Sequence, residues 1–92
     1  MLEQKEAEKR AAAFLDEQSR TWSSSDVRII QEYCFTEEGR FIAPYNTIAY
    51  LDRGVDDARL GGNLPVCVDL KTGECSFITR AEAENFMDRD ML

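Results

Sequence analysis

Apolar residues recur at helical spacing in the first twenty positions of the chain, and charged residues occupy the opposite side. Such a stripe predicts an amphipathic helix from residue 2 to about residue 20. The positions on its inner side are Ala7, Ala11, Phe14, Leu15 and Gln18. We expect Phe14 and Leu15 to anchor this helix on a sheet. The polar segment Trp22–Asp26 then predicts a loop, from which Trp22 folds back over the core.

Alternation with a period of two follows the loop and predicts a first hairpin. In the segment 27–35 one strand face carries Val27, Ile29, Tyr33 and Phe35, with Gln31 as the exception. The turn Thr36–Gly39 ends in a glycine, which tolerates a positive φ. The return strand begins at Arg40 and closes at Asp52–Gly54; its inner face carries Phe41, Ala43, Tyr45 and Thr47. Pro44 lacks an N–H, so this strand lies at a sheet edge or is bulged there.

A second hairpin is predicted after one helical turn at residues 55–60 and a turn at Gly61–Asn63. Its first strand opens at Pro65 and points Val66, Val68 and Leu70 inward. A three-residue loop, Lys71–Gly73, leads into the strand Glu74–Ile78 and places Val66 opposite Ile78. In this register Cys67 and Cys75 lie diagonally on one face, too far apart for an unstrained disulfide.

The carboxy-terminal segment begins with Thr79-Arg-Ala-Glu82, the pattern of a helix-capping box. Ala83, Phe86 and Met87 then form an apolar stripe that faces the sheet. The predicted fold class is therefore α+β, with a small antiparallel sheet of about four strands in two hairpins, packed by an amino-terminal and a carboxy-terminal helix. At 92 residues the chain forms one domain, residues 1–92. The residues expected to be largely buried are Phe14, Leu15, Ile29, Tyr33, Phe41, Val66, Val68 and Phe86.

Charge narrows the classes of partner. Eighteen acidic and eleven basic side chains give a net charge of −7, which disfavours binding to nucleic acid phosphates or to an anionic membrane. A basic protein partner remains compatible, and acidity that only maintains solubility is the alternative. The amino terminus lacks the apolar stretch of a signal peptide, so we expect a cytoplasmic protein whose three cysteines are reduced thiols.

The amino-acid composition gives little support for a catalytic function. Histidine is absent, and the adjacent carboxylates of Asp56 and Asp57 fall on a predicted exposed turn, where their pKa values should be ordinary. Cysteines without a histidine partner do not form a nucleophilic dyad, and their spacing does not suit zinc. We therefore expect no enzyme activity, no catalytic residues, no metal, no cofactor and no small-molecule substrate.

The best candidate for a contact surface is the turn that follows Tyr50. Exposed carboxylates next to an aromatic side chain supply steering charge and an anchor together. The candidate partner-binding residues are Tyr50, Asp52, Asp56 and Asp57, extended by Glu37 and Glu38 of the first hairpin turn. Two alternatives stay open, since the acids are also consistent with solvated turn residues and Tyr50 with the margin of the core.

Three segments between Tyr50 and Glu74 resemble the YrhB family, which is grouped with immunity-type proteins of bacterial polymorphic toxin systems. They are Tyr50-Leu-Asp-x-Gly54, Ala58-x-Leu-x-Gly-Asn-x-Pro65 and Val68-Asp-x-x-Thr-Gly-Glu74. The amino-terminal helix with Phe14 and Leu15 also matches, whereas Pro44, and Val55 after Gly54, depart from the family pattern. The resemblance implies a non-enzymatic immunity protein that binds and neutralises a cognate toxin, or alternatively a small holdase-type chaperone.

Overall fold

The computed structural model describes residues 2–22, 26–61 and 63–92, with the two outer helices and both hairpins that the sequence predicts. The helices are α1 (Gln4–Ser19), α2 (Ile48–Arg53) and α3 (Arg80–Asp88). The strands are β1 (Val27–Ile29), β2 (Phe35–Glu37), β3 (Arg40–Ala43), β4 (Tyr45–Thr47), β5 (Val66–Asp69) and β6 (Cys75–Phe77). Two 3₁₀ turns occupy Gln31–Tyr33 and Asp56–Ala58. No helix in these ranges combines the length and the apolar character that crossing a membrane requires.

Two antiparallel sheets organise the chain. The larger has the strand order β2-β3-β5-β6 and consists of two hairpins joined through β3 and β5. A smaller sheet pairs β1 with β4. The predicted α+β class, with four strands in two hairpins and a helix from each end of the chain, is therefore confirmed, and the smaller sheet and α2 are additions to it.

The larger sheet has a hydrophobic core on each face, because successive strand residues point to opposite sides. Helix α1 covers one face, where Ala7, Ala11 and Leu15 pack on Phe41 and Val68. Helix α3 covers the other face; there Ala83 and Phe86 pack with Ile42, Cys67 and Ile78. The result is a three-layer arrangement, helix–sheet–helix, in which each hairpin contributes to both cores.

The inner side of α1 is shifted slightly from the predicted stripe. Gln18 is exposed, and Ser19 is buried in its place with its hydroxyl donating to the Asp16 carbonyl. Phe14 is only partly buried and lies against Phe77, with 5.2 Å between ring centroids. Trp22 stacks on Tyr45 at a centroid distance of 5.9 Å, which confirms that it folds back over the core. The rest of the predicted polar loop, Ser23–Ser25, lies outside the described residues.

The predicted strand 27–35 is wrong in its middle, where a 3₁₀ turn separates β1 from β2. Gln31, the one polar residue on the predicted inner face, begins this turn. Because residues in this turn do not follow the two-residue alternation of a strand, Tyr33 does not share the inner face with Val27 and Ile29 and is 65% exposed instead of buried. The predicted hairpin turn is present but shorter, because Thr36 and Glu37 belong to β2. It has two residues, Glu38 and Gly39, both with positive φ, which is the backbone geometry of a type I′ turn.

The predicted return strand 40–51 is also wrong beyond Thr47. Pro44 divides it into β3 and β4, which belong to different sheets, and the Pro44 carbonyl accepts from the Ile30 N–H. The Thr47 hydroxyl then accepts from the Tyr50 N–H and caps α2, which ends at Gly54 with φ 67°. A cap and a stop with six residues between them favour a helix over a continued strand.

The second hairpin is confirmed, but its register differs by one residue from the prediction. Val66 pairs with Phe77 and Val68 with Cys75. The reason is the loop, which has four residues: the Asp69 carboxylate accepts from the Lys71 N–H, and the Gly73 N–H bonds to the Asp69 carbonyl. Cys67 and Cys75 therefore lie on opposite faces, and both are free thiols.

Helix α3 is tied to the sheet at its first turn. The predicted capping box is present: the Thr79 hydroxyl accepts from the Glu82 N–H, and the Glu82 carboxylate accepts from the Thr79 N–H. The same carboxylate forms an ion pair with Arg40 of β3. The hydrogen bond from Arg40 lowers the pKa of Glu82 below its ordinary value of 4.5.

We expect this ion pair to make stability depend on pH below neutrality. Because the folded-state pKa of Glu82 is depressed, its contribution is present above the unfolded value and is lost as pH falls through the folded value. Both side chains are about one-third exposed, so the coupling free energy at pH 7 should be about 0.5–1 kcal/mol. A double-mutant cycle with Arg40→Met and Glu82→Gln, measured by urea unfolding at pH 7 and about pH 2, checks this. Equal coupling at both pH values would contradict it.

Candidate functional site

Two of the predicted contact residues, Tyr50 and Asp52, lie on α2 and are held by arginines. The Tyr50 ring is half-buried, and the Arg59 guanidinium lies over it at 5.7 Å from the centroid. Asp52 accepts from Arg28 of β1 at 2.7 and 3.1 Å, in a two-pronged ion pair. The hydrogen bond from Arg28 lowers the pKa of Asp52. This pair fastens α2 to the smaller sheet, so Asp52 is already engaged within the chain.

The other predicted acids lie on two separate turns, and all of them except the partly buried Glu37 are exposed. Asp56 and Asp57 open the second 3₁₀ turn. Glu37 and Glu38 lie at the β2–β3 turn of the larger sheet, where Glu37 accepts from Arg89 at 3.2 Å. Among the described residues, no hydrogen bond or ion pair connects these two acidic turns. The structure therefore does not join the six predicted residues into one cluster.

A groove of about 780 Å³ lies between α3, the junction of β3 with β4, and the segment that precedes β5. We call it the main groove. Its walls carry Pro44 from the β3–β4 junction, Leu64 and Pro65 before β5, and Met87 and Met91 from the end of α3. Met87 is 51% exposed although its spacing predicted contact with the sheet. The main groove thus presents several apolar side chains to solvent in one concave place.

A second hollow of about 550 Å³ adjoins the main groove beside α2. We call it the side hollow. Tyr33, Asn46 and Arg59 line both spaces and form the boundary between them. Tyr50 and Asp56 line the side hollow, so two of the six predicted residues belong to this surface. The site is therefore a continuous depression that centres on Tyr33 and Arg59.

The position of Arg59 is set by hydrogen bonds from strand β4. The Leu60 N–H donates to the buried Asn46 side chain at 2.9 Å, and the Thr47 hydroxyl donates to the Ala58 carbonyl at 2.8 Å. Asn63 donates from its side chain to the Tyr45 carbonyl at 2.9 Å. The first two bonds join β4 side chains to the backbone on either side of Arg59, and the third satisfies one backbone carbonyl of β4. Because the backbone of both neighbours of Arg59 is held by hydrogen bonds, the backbone position of Arg59 itself is also fixed.

The three cysteines are the thiols among the described residues, and each has a raised pKa. Burial raises the pKa of the Cys34 thiol to about 11, and burial also raises the pKa values of Cys67 and Cys75. Raised thiol pKa values leave little thiolate at neutral pH, so these cysteines are poor nucleophiles. Within residues 2–22, 26–61 and 63–92, no group of three acidic or cysteine side chains is placed to hold a metal ion.

Sequence reasoning missed Tyr33, Arg59 and Met87 as surface residues. For Tyr33 a signal was present, since Gln31 interrupts the apolar face of the predicted strand. For Met87 the helical period predicted that it faces the sheet together with Phe86, but only Phe86 is buried there. Arg59 gave no signal, because its placement depends on the side chains of Asn46 and Thr47 twelve or more residues earlier.

A scan of the chain against protein-family models, a search of curated proteins and a search of solved structures all found no match. The resemblance to the YrhB family therefore stays a prediction that rests on the three quoted segments. Two glycines of those segments have the positive φ of turn formers: Gly54 ends α2, and Gly73 closes the β5–β6 loop. Their presence has a local structural reason in this chain.

Proposed function

We propose that this chain is a non-enzymatic protein-binding module, an immunity protein that neutralises a cognate bacterial toxin domain by direct binding in the cytoplasm. The observation that carries the proposal is the exposed aromatic and apolar lining of the main groove, with Tyr33 at its boundary. The resemblance to immunity-type proteins supplies the kind of partner.

The chemistry of the depression is that of a binding hot spot. Tyrosine and arginine are enriched among residues that dominate binding energies, and methionine is enriched at interfaces generally. Tyr33, Arg59 and Met87 are side chains of these types within one concave surface. Tyr33 is a member of neither hydrophobic core, which indicates that folding does not require its ring.

The surface is also held in shape before a partner arrives. The Arg28–Asp52 pair fixes α2, and Asn46 and Thr47 fix the segment that carries Arg59. Binding to a prepared surface loses less conformational entropy than binding that orders a loop. Neutralisation would then come from covering the toxin's working surface, which needs tight binding and no chemistry.

The proposal is tested with the protein encoded by the gene next to the one that encodes this chain. We expect its expression to be toxic, co-expression of this chain to relieve the toxicity, and the two purified proteins to form a 1:1 complex in size-exclusion chromatography with light scattering. A variant with an intact fold and a disabled groove, Tyr33→Ala with Met87→Gln, should fail to protect. Suppressed aggregation of unrelated clients without a specific complex would replace the proposal with a holdase chaperone.

A further inference from the structure

The carboxy-terminal end of α3 gives the main groove a negative charge beside its apolar wall. Met87 and Met91 line the groove on one side of the helix, and Glu84 and Asp90 line it immediately next to them. Neither carboxylate forms an ion pair within the described chain. An apolar side chain with a carboxylate on either flank is complementary to an amphipathic group that has an apolar body and a cationic tip.

The backbone of α3 adds to this negative potential. Carbonyl groups at a helix carboxy terminus carry a partial negative charge, and cations there are stabilising. Helix α3 has no basic residue in its last turn and has Asp88 at its end, with Asp90 just beyond. Arg89, the next residue, is directed to Glu37 and lies over the Phe86 ring. The cation at this helix end is therefore engaged by Phe86 and Glu37 and does not line the main groove.

The two arginines that line the main groove lie away from the helix end. Arg80 is the first residue of α3, eight positions before Asp88, which is about 12 Å along a helix axis. Arg59 stacks on Tyr50 at the boundary with the side hollow. Glu84 is one helical turn from Arg80 but forms no ion pair with it among the described residues, and Asp90 lies beyond the opposite end of α3 from Arg80.

We propose that the main groove binds a cationic, apolar segment of the partner protein, with a lysine or arginine stem packed on Met87 and its charged tip at Glu84 and Asp90. This inference rests on the proposed function and assigns the chemistry of the partner's contact segment. The net charge of −7 works in the same direction, because it attracts a basic partner and repels a second copy of this chain.

Two fluorescein-labelled peptides of 14 residues test this proposal by fluorescence anisotropy. Both peptides carry leucines at helical spacing and charged residues at the same other positions. In one peptide these charged residues are all lysine, and in the other they are all glutamate. We expect saturable 1:1 binding of the lysine peptide and at least tenfold weaker binding of the glutamate peptide. Replacing Glu84→Gln and Asp90→Asn together should raise Kd for the lysine peptide about three- to twentyfold and flatten its salt dependence. Asparagine keeps the positive φ of Asp90 accessible.

The matched control removes the same charge from the other side of the molecule. Glu17→Gln alters an exposed residue of α1, the helix on the opposite face of the larger sheet from α3. Glu74→Gln alters an exposed residue of the β5–β6 connection. This variant should bind the lysine peptide with unchanged Kd apart from a small long-range effect. Equal weakening by both variants would show general charge attraction and overturn the assignment to the groove, as would equal binding of the two peptides.

The outcomes separate this inference from the proposed function. A toxin complex that forms and depends on Tyr33 but is unaffected by Glu84→Gln and Asp90→Asn would overturn the cationic segment alone. Groove-dependent binding of the lysine peptide without any toxic neighbouring gene product would support the surface chemistry and overturn the immunity function alone.

Discussion

Phe41→Ala should lower the free energy of unfolding by about 3–5 kcal/mol, which is a large part of the 5–15 kcal/mol expected for a small domain. Phe41 is 0% exposed and lies in the middle of β3, paired with Val68 of β5. It packs in the core beneath α1, together with Leu15. Truncation leaves a cavity between helix and sheet that a three-layer arrangement has few ways to fill.

Urea unfolding followed by circular dichroism measures this loss. Phe14→Ala is the informative comparison, because Phe14 is only partly buried beside Phe77 and should cost clearly less than Phe41→Ala. Thr36→Ala, an exposed change on the neighbouring strand β2, serves as the control with a small effect. A loss below about 1.5 kcal/mol for Phe41→Ala would contradict the central placement of this ring, since full burial of a phenylalanine accounts for more than that.

Local patterns predicted the elements that depend on local signals. The capping box at Thr79 and Glu82, the two-residue turn at Gly39 and the alternation of Val66 with Val68 are each specified by neighbouring residues, and each is present. The amino-terminal helix follows from its apolar period in the same way. These features combine into the α+β fold because both hairpins and both outer helices have apolar faces to bury.

The differences arise where a hydrogen bond between a side chain and the nearby backbone decides the outcome. Ile48-Ala-Tyr-Leu is compatible with a strand, yet the Thr47 cap and Gly54 make it a helix. The register of the second hairpin depends on a single carboxylate, Asp69, which closes a four-residue loop instead of a three-residue one. Sequence pattern alone does not weigh these side chain–backbone bonds against strand propensity.

The candidate site was harder to predict than the fold for a related reason. Tyr50 and Asp56 were identified because acids beside an aromatic residue are visible in the sequence, and both line the side hollow. The main groove lies beside Pro44, which separates β3 and β4 into different sheets, and α3 lines its other side. The proline was recognised as an interruption, but the groove beside it is lined by residues from four separate segments of the chain.

Tyr33→Ala should weaken the complex with the partner by at least about thirtyfold, the effect of losing a hot-spot aromatic. Tyr33 lines both the main groove and the side hollow, and a partner seated in either would cover its ring. Because the side chain is 65% exposed, the free energy of unfolding should change by less than about 0.5 kcal/mol. Titration calorimetry with the purified toxin domain and urea unfolding of the free variant measure the two quantities.

Three further variants separate the contributions of this surface. Tyr33→Phe keeps the ring and tests the hydroxyl, so most of the affinity should remain if packing dominates. Tyr50→Ala removes the support for Arg59 and should accelerate dissociation, with some loss of stability because Tyr50 is half-buried. Lys5→Ala, an exposed change on α1, should leave binding unchanged. If Tyr33→Ala binds the toxin as tightly as the original chain, the interface lies outside the depression, and the acidic turn at Glu37 and Glu38 becomes the next surface to test.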